Sequence, residues 1–216
     1  MKLSNPTDTE VWLSFKNGDD RAASYIYREY FPVLYRYGLK FTSLSFLVED
    51  TIQDLFAELI KNRKTLGDTD NILFYLLKSF RRKLLRRMGN ASRYDLTGEI
   101  TDEYPFEMVW SAEHELIVEE DSERRSQMFL KALGELTPRQ KEAIYLRFTK
   151  ELDYTVIAEI MNISIEACRN LISKAISIMK KRINEKAWKI FVFFDDIFLY
   201  VAFLLIEAKL WIAKNT

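Results

Sequence analysis

Chain breakers are scarce in this sequence. It holds 6 Gly and 4 Pro in 216 residues. So few turn-formers cannot supply the tight connections of a many-stranded sheet, and long helices are the expected product. The apolar spacing agrees, recurring at three- and four-residue steps. Val11, Trp12 and Phe15 predict a short helix over 8–17, and Gly18-Asp19-Asp20 ends it and caps the next. That helix runs from about 21 to 41 through Ala22, Tyr25, Ile26, Tyr30, Leu34, Tyr37 and Phe41, with Pro32 placed to kink it. A third, from about 46 to 62, turns Ile52, Leu55, Phe56, Leu59 and Ile60 inward. Gly67 to Asn71 is a turn signal. A fourth helix then runs to about Met88, with Leu73, Leu76, Leu77, Phe80 and Leu84 inward and its arginines outward.

Residues 89–111 lack a sustained period and are expected to be a linker. A helix over about 112–133 follows, then Thr137-Pro138-Arg139-Gln140, which has the form of a capping box with Pro at the first helical position. Shorter helices are expected at about 138–149, 154–162 and 165–184. The predicted fold class is all-α, in two helical modules.

Composition narrows the chemistry. The hydrophobic fraction of 48% is enough to bury a core and excludes a disordered chain. One Cys, Cys168, excludes an internal disulfide framework, and one His, His114, excludes most His-based catalytic and metal sites. No polar cluster has catalytic spacing, so no enzyme activity, metal or cofactor is expected. After Met1-Lys2 no apolar stretch follows, so no secretory signal is expected and the location should be cytoplasmic and reducing. The 32 basic and 32 acidic residues cancel, but they are not mixed. Residues 81–93 carry Arg81, Arg82, Lys83, Arg86, Arg87 and Arg93 with no acid, while Glu99 to Glu123 holds ten acids and no Lys or Arg. Basic charge returns from Arg169 to Lys189. Two basic segments thus flank an acidic one, which repels phosphate and should act as a spacer or a protein-facing strip.

The sharpest motif lies between Tyr154 and Arg182. A helix carrying Ile157, Ala158 and Met161 is joined by Asn162-Ile163-Ser164 to a second helix capped by Ser164. A small Ala permits close helix crossing and Ile163 fixes the angle, as a helix–turn–helix requires. The second helix should bury Ile165, Cys168, Leu171, Ile172 and Ala175 and present Glu166, Arg169, Asn170, Ser173 and Lys174. Arg, Asn and Lys are residue types that read purines in the major groove, and Lys180, Lys181 and Arg182 are placed to reach phosphate. A plain helical hairpin with a solvated charged face would share this pattern.

The wider sequence favours the DNA-binding alternative. Leu136 to Phe148, followed by the helix–turn–helix, resembles region four of bacterial sigma factors. Val48 to Leu59, with Glu49, Asp50, Gln53, Asp54, Phe56 and Leu59, resembles region two. Both in this order, across an acidic linker and without a region three, resemble the extracytoplasmic-function (group four) members of the sigma-70 family. The resemblance implies region two in residues 1–90, a linker over 91–125, region four over 126–185 and an added segment over 186–216. It implies a sigma factor that binds core RNA polymerase and directs initiation at −10 and −35 elements, aiding promoter melting. Glu49, Asp50, Gln53, Asp54 and Phe56 would dock on the β′ clamp coiled coil, and region four would meet the β flap. Gly67, Asp68, Thr69, Asp70 and Asn71 would accept a base flipped from the −10 element, with Tyr75 stacking and Arg81, Arg82 and Arg86 holding phosphate. Arg82 stands where the family commonly carries Asn. Glu166, Arg169, Asn170, Ser173 and Lys174 would read the −35 element. An anti-sigma protein or another recruiting protein is an expected partner. The runner-up is a helix–turn–helix regulator that acts without being a polymerase subunit.

Trp188 to Ala213 lies outside the resemblance. Its longest uncharged run, Ile197 to Ile206, is ten residues, against the roughly 20 that a membrane span needs. Asp195 and Asp196 would be costly in lipid. A helix packed on protein is therefore expected here, with membrane association and folding over the recognition helix as the alternatives.

Overall fold

The computed structural model describes residues 6–89, 104–108 and 129–182. Among the described residues every regular element is helical. The expected segment 186–216 and most of the helix over 112–133 lie outside these residues; 129–134 are helical. The chain divides into two compact units, residues 1–107 with 155–165 and residues 108–154 with 166–216.

The first four helices follow the predicted order. Helix α1 spans Asp8–Lys16 and opens on a capping box between Thr7 and Glu10. Two hydrogen bonds from Thr7, the backbone one foremost, hold the Glu10 carboxyl below its usual pKa. Helix α2 spans Asp20–Gly38, capped by the Asp19 side chain, and continues through Pro32. Helix α3 spans Ser45–Asn62, and a single 3-10 turn, Arg63–Thr65, follows it. Helix α4 spans Ile72–Arg87; the Asn71 side chain accepts the Phe74 backbone N–H at 2.8 Å and so starts it.

Their shared core is apolar and aromatic: Trp12, Ile26, Leu34, Tyr37, Val48, Ile52, Ile72, Leu76, Leu77 and Phe80 are all buried. The closest approach is at Gly38. A Cβ placed there would lie 2.5 Å from Val48 Cγ1 and 2.8 Å from Phe80 Cζ, one atom on α3 and one on α4. Only a glycine lets α2, α3 and α4 meet at that point.

The predicted stripes are right at their centres and wrong at their edges. Tyr25 and Ile60, expected inward, are exposed. Each sits at the margin of its stripe, where the width of the neighbouring helix decides burial and periodicity does not. Residues 104–107, expected in the linker, pack in the first unit. Tyr104 and Phe106 are buried, Phe106 meets Phe41 edge-on at 5.0 Å, and the Glu107 N–H donates to the Lys40 carbonyl at 2.7 Å.

In the second unit, helix α5 (Pro138–Ile144) begins on the predicted capping box. The Thr137 N–H donates to Gln140 Oε1 at 3.0 Å, and the Gln140 N–H donates back to Thr137 Oγ1 at 3.3 Å. The expected helix to 149 changes character, becoming a π-helical turn over Tyr145–Thr149. Helix α6 (Tyr154–Met161), which falls in the first unit from Thr155 onward, and helix α7 (Ile165–Arg182), which falls in the second from Glu166 onward, follow in sequence.

Gly38→Ala should destabilise the fold by about 1–3 kcal/mol, the usual cost of an overpacked core atom. Gly134→Ala, where a Cβ meets nothing within 4 Å, should not. Urea melts of the two variants check the contrast; equal midpoints would remove Gly38 from its place as the junction of the helices.

Candidate nucleic-acid interface

Helix α7 presents one polar face. Glu166, Arg169, Asn170, Ser173 and Lys174 are all exposed, at the i, i+3, i+4, i+7, i+8 spacing that puts them on one side. Cys168, Ile172, Ala175 and Met179 fill the opposite side. Burial raises the Cys168 thiol pKa, as befits a core residue and not a reactive one. Ile165, expected inward, is 41% exposed. It opens α7, where a side chain precedes the packed turns.

The turn before α7 is built by Asn162. Its φ of +55° is left-handed, and the Ile163 and Asn162 N–H groups donate back to Ala158 and Glu159 carbonyls at 2.9 and 3.3 Å. This is a Schellman ending, which reverses the chain at once. Asn is among the few residues that take this conformation without glycine.

Arg169 is not isolated. Its guanidinium carbon lies 5.9 Å from the Tyr154 ring centre, and that of Arg147 lies 4.9 Å from the same ring. Arg147 also donates to the Leu152 carbonyl at 2.9 Å and pairs with Asp153 at 3.6 Å. The π-helical turn that carries Arg147 thus anchors Tyr154, and Tyr154 carries Arg169. Neither tyrosine nor turn was singled out from the sequence, because the coupling depends on a helical irregularity without a residue signature. Arg182, expected to reach phosphate, pairs with Glu135 at 2.5 Å.

In the first unit the outer faces of α3 and α4 carry opposite charge. Asp50, Gln53 and Asp54 are exposed on α3 and Glu49 is half-buried. Asp54 is ion-paired with Arg87, and Glu58 with Lys83, across to α4. Phe56 is buried and meets Tyr27 edge-on at 4.9 Å. It belongs to the core, because its position falls on the same stripe as Ile52 and Leu59. Arg82 and Arg86 project outward from α4. With Tyr75 they form one wall of a cleft whose other wall includes Leu55, Leu59 and Asn62 of α3.

Arg81 departs from expectation. It is 1% exposed, not outward, and its guanidinium lies 5.2 Å from the Tyr104 ring. The segment at 104–107 covers it, and a ring face is a partner that a buried cation accepts. No signal local to α4 reveals a cover that arrives from more than twenty residues downstream.

The loop Gly67–Asn71 is held and not free. Thr69 and Asn71 turn inward on each other: the Thr69 hydroxyl donates to the Asn71 carbonyl at 3.0 Å and accepts the Asn71 N–H at 3.1 Å. Asp68 and Asp70 are exposed. Tyr75 is half-buried, with its ring 5.0 Å from that of Trp12.

Among the described residues no group of His, Cys, Asp and Glu could hold a metal ion. No described helix is long and apolar enough to cross a membrane.

Arg81→Ala should lower stability by on the order of 2 kcal/mol or more, as removal of a buried long side chain does. Arg82→Ala and Arg86→Ala should each stay within about 0.5 kcal/mol of the parent. Chemical denaturation distinguishes them, and an Arg81 variant as stable as the other two would show that its burial is incidental.

Comparison with known proteins fits this geometry. Residues 126–179 match the family model described as Sigma-70, region 4. No curated protein matches the chain. A solved structure, that of CnrH in complex with the cytosolic domain of CnrY, shares the fold with a TM-score of 0.54 at 16% identity, over 81% of this chain and 95% of that one. Residues 126–179 thus carry a sigma-70 region 4, and the likeness to the solved structure is one of fold.

Proposed function

We propose that this protein is a sigma factor of two DNA-reading modules, which binds core RNA polymerase and directs initiation at promoters with −10 and −35 elements. The observation that carries the proposal is the match of residues 126–179 to region 4, in which Arg169, Asn170 and Lys174 share the exposed face of α7. That face has the donors needed to read purine edges in duplex DNA.

In this scheme residues 1–90, with the packed 104–107 segment, form the region-two module, and 126–185 form region four. The acidic face at Glu49, Asp50, Gln53 and Asp54 meets the polymerase clamp coiled coil. The loop at 67–71 and the cleft wall of Tyr75, Arg82 and Arg86 take the −10 strand, its bases stacking on an aromatic ring while cations track its phosphates. Region four would rest on the β flap. The chemistry of RNA synthesis belongs to the polymerase, so the protein itself needs no catalytic group. CnrH was solved with the cytosolic domain of CnrY, and a protein partner of that kind, acting as an anti-sigma factor, is proposed here too.

Three measurements test the scheme. Core polymerase supplied with this protein should start transcription at defined sites that it does not use alone. Sequence-specific duplex binding by the isolated chain, with no such effect on polymerase, would instead mark a regulator acting without polymerase. Asp50→Lys should weaken core binding about tenfold or more, since like charges at an interface cost at least 1.4 kcal/mol. Asp50 is a cleaner site than Asp54, whose reversal would also confront Arg87. Arg169→Ala and Lys174→Ala should each weaken promoter binding by about 1–3 kcal/mol while leaving core binding intact. Unchanged promoter use in both would assign −35 reading to another face.

A further inference from the structure

Helix α1 reaches the loop at 67–71 with three consecutive turns. Asp8 Oδ2 accepts the Ile72 N–H at 2.8 Å, at the loop's exit into α4. One turn on, the Trp12 indole N–H donates to the Gly67 carbonyl at 2.9 Å, at the loop's entry. One turn further, the Lys16 ammonium pairs with Asp68 at 2.5 Å. Residues 8, 12 and 16 are spaced by four, so one face of one helix holds the loop at both ends and on its rim.

The contacts are built into the fold. Trp12 is buried, tilted against Phe15 at 5.4 Å and Tyr75 at 5.0 Å. Asp8 is fixed in turn by the Tyr30 hydroxyl, which donates to Oδ1 at 3.2 Å. Burial, and then the charge of Asp8, raise that hydroxyl's pKa above the usual tyrosine range.

Asp8, Trp12 and Lys16 lie on none of the faces assigned above to polymerase or DNA. We infer that Asp8, Trp12 and Lys16 are positioning residues for −10 recognition: α1 sets the shape of the 67–71 loop and the angle of Tyr75, and through them the base that the loop accepts. The inference rests on the proposed reading of that loop. A preformed loop loses little freedom when a base enters, so rigidity here turns into selectivity. Lys16 engages Asp68 through Oδ1, and the exposed side chain of Asp70, outside the brace, is the loop's outward reader.

The test uses the full chain assembled with core polymerase and a randomised single-stranded DNA pool. The parent should enrich a preferred sequence. Trp12→Phe keeps an aromatic ring and removes the N–H donor; Lys16→Met keeps the stem and removes the charge. Each should lower enrichment of the preferred sequence roughly fivefold, the size of one lost intramolecular hydrogen bond. Core affinity should stay within about twofold, since neither residue lies on the proposed core-binding face, and the thermal melt should stay cooperative. The Lys16 effect should also fade at high salt in the parent, as an exposed ion pair is screened. If both variants select as the parent does while Asp70→Ala alters selection, the brace is overturned and the loop reading stands. If Asp70→Ala also selects as the parent does, the loop does not read DNA and both fail. Should Trp12→Phe not fold, Lys16→Met decides alone.

Discussion

The first unit depends on the close approach at Gly38. Helices α2, α3 and α4 converge there with Val48 and Phe80 nearer than any side chain at 38 would permit. That contact sets α3 and α4 side by side as antiparallel neighbours, with Glu58 opposite Lys83 and Asp54 opposite Arg87, and the proposed division of this unit's faces follows from it. The acids of α3 face outward on one side, and Arg82 and Arg86 of α4 on the other. Between them the ion pairs Asp54–Arg87 and Glu58–Lys83 absorb part of each charge set. Surface pairs of this kind add little stability. Their consequence is to leave Asp50 and Gln53 on one edge and Arg82 and Arg86 on the other, so the two faces differ in sign.

The stretch from α5 to α7 shows irregularity of another kind. The π-helical turn after α5 places Arg147 against Tyr154, and the left-handed Asn162 ends α6 at once. Local departures from the α-helix occur here where a recognition helix has to be aimed, as π-turns often do at functional sites. Arg169 stands at the end of this chain of contacts, packed on the tyrosine ring and still exposed.

Local features were legible in the sequence. The Thr137–Gln140 capping box, the turn at 67–71 and the outward set on α7 depend on residues within a few positions of one another, and the structure has them in those places. Long-range features were not. The Asp8–Ile72 bond spans 64 residues and the Trp12–Gly67 bond 55, and nothing in either segment names the other. Phe56 lies on its predicted inward stripe, and Arg81, expected outward, is the residue that departs. Helical period fixes the middle of a buried stripe, but whether a flanking residue is covered depends on what packs beside it. For Arg81 that is Tyr104, in a segment whose composition reads as linker.

In the proposed scheme one helical unit meets protein with α3 and DNA with α4. A photoactivatable cross-linker at position 53 and another at position 86 test it directly, in the protein assembled with core polymerase on a promoter. Position 53 should cross-link to a polymerase subunit and position 86 to the non-template strand. Cross-links from 53 to DNA and from 86 to protein, or no polymerase cross-link from either position, would contradict it.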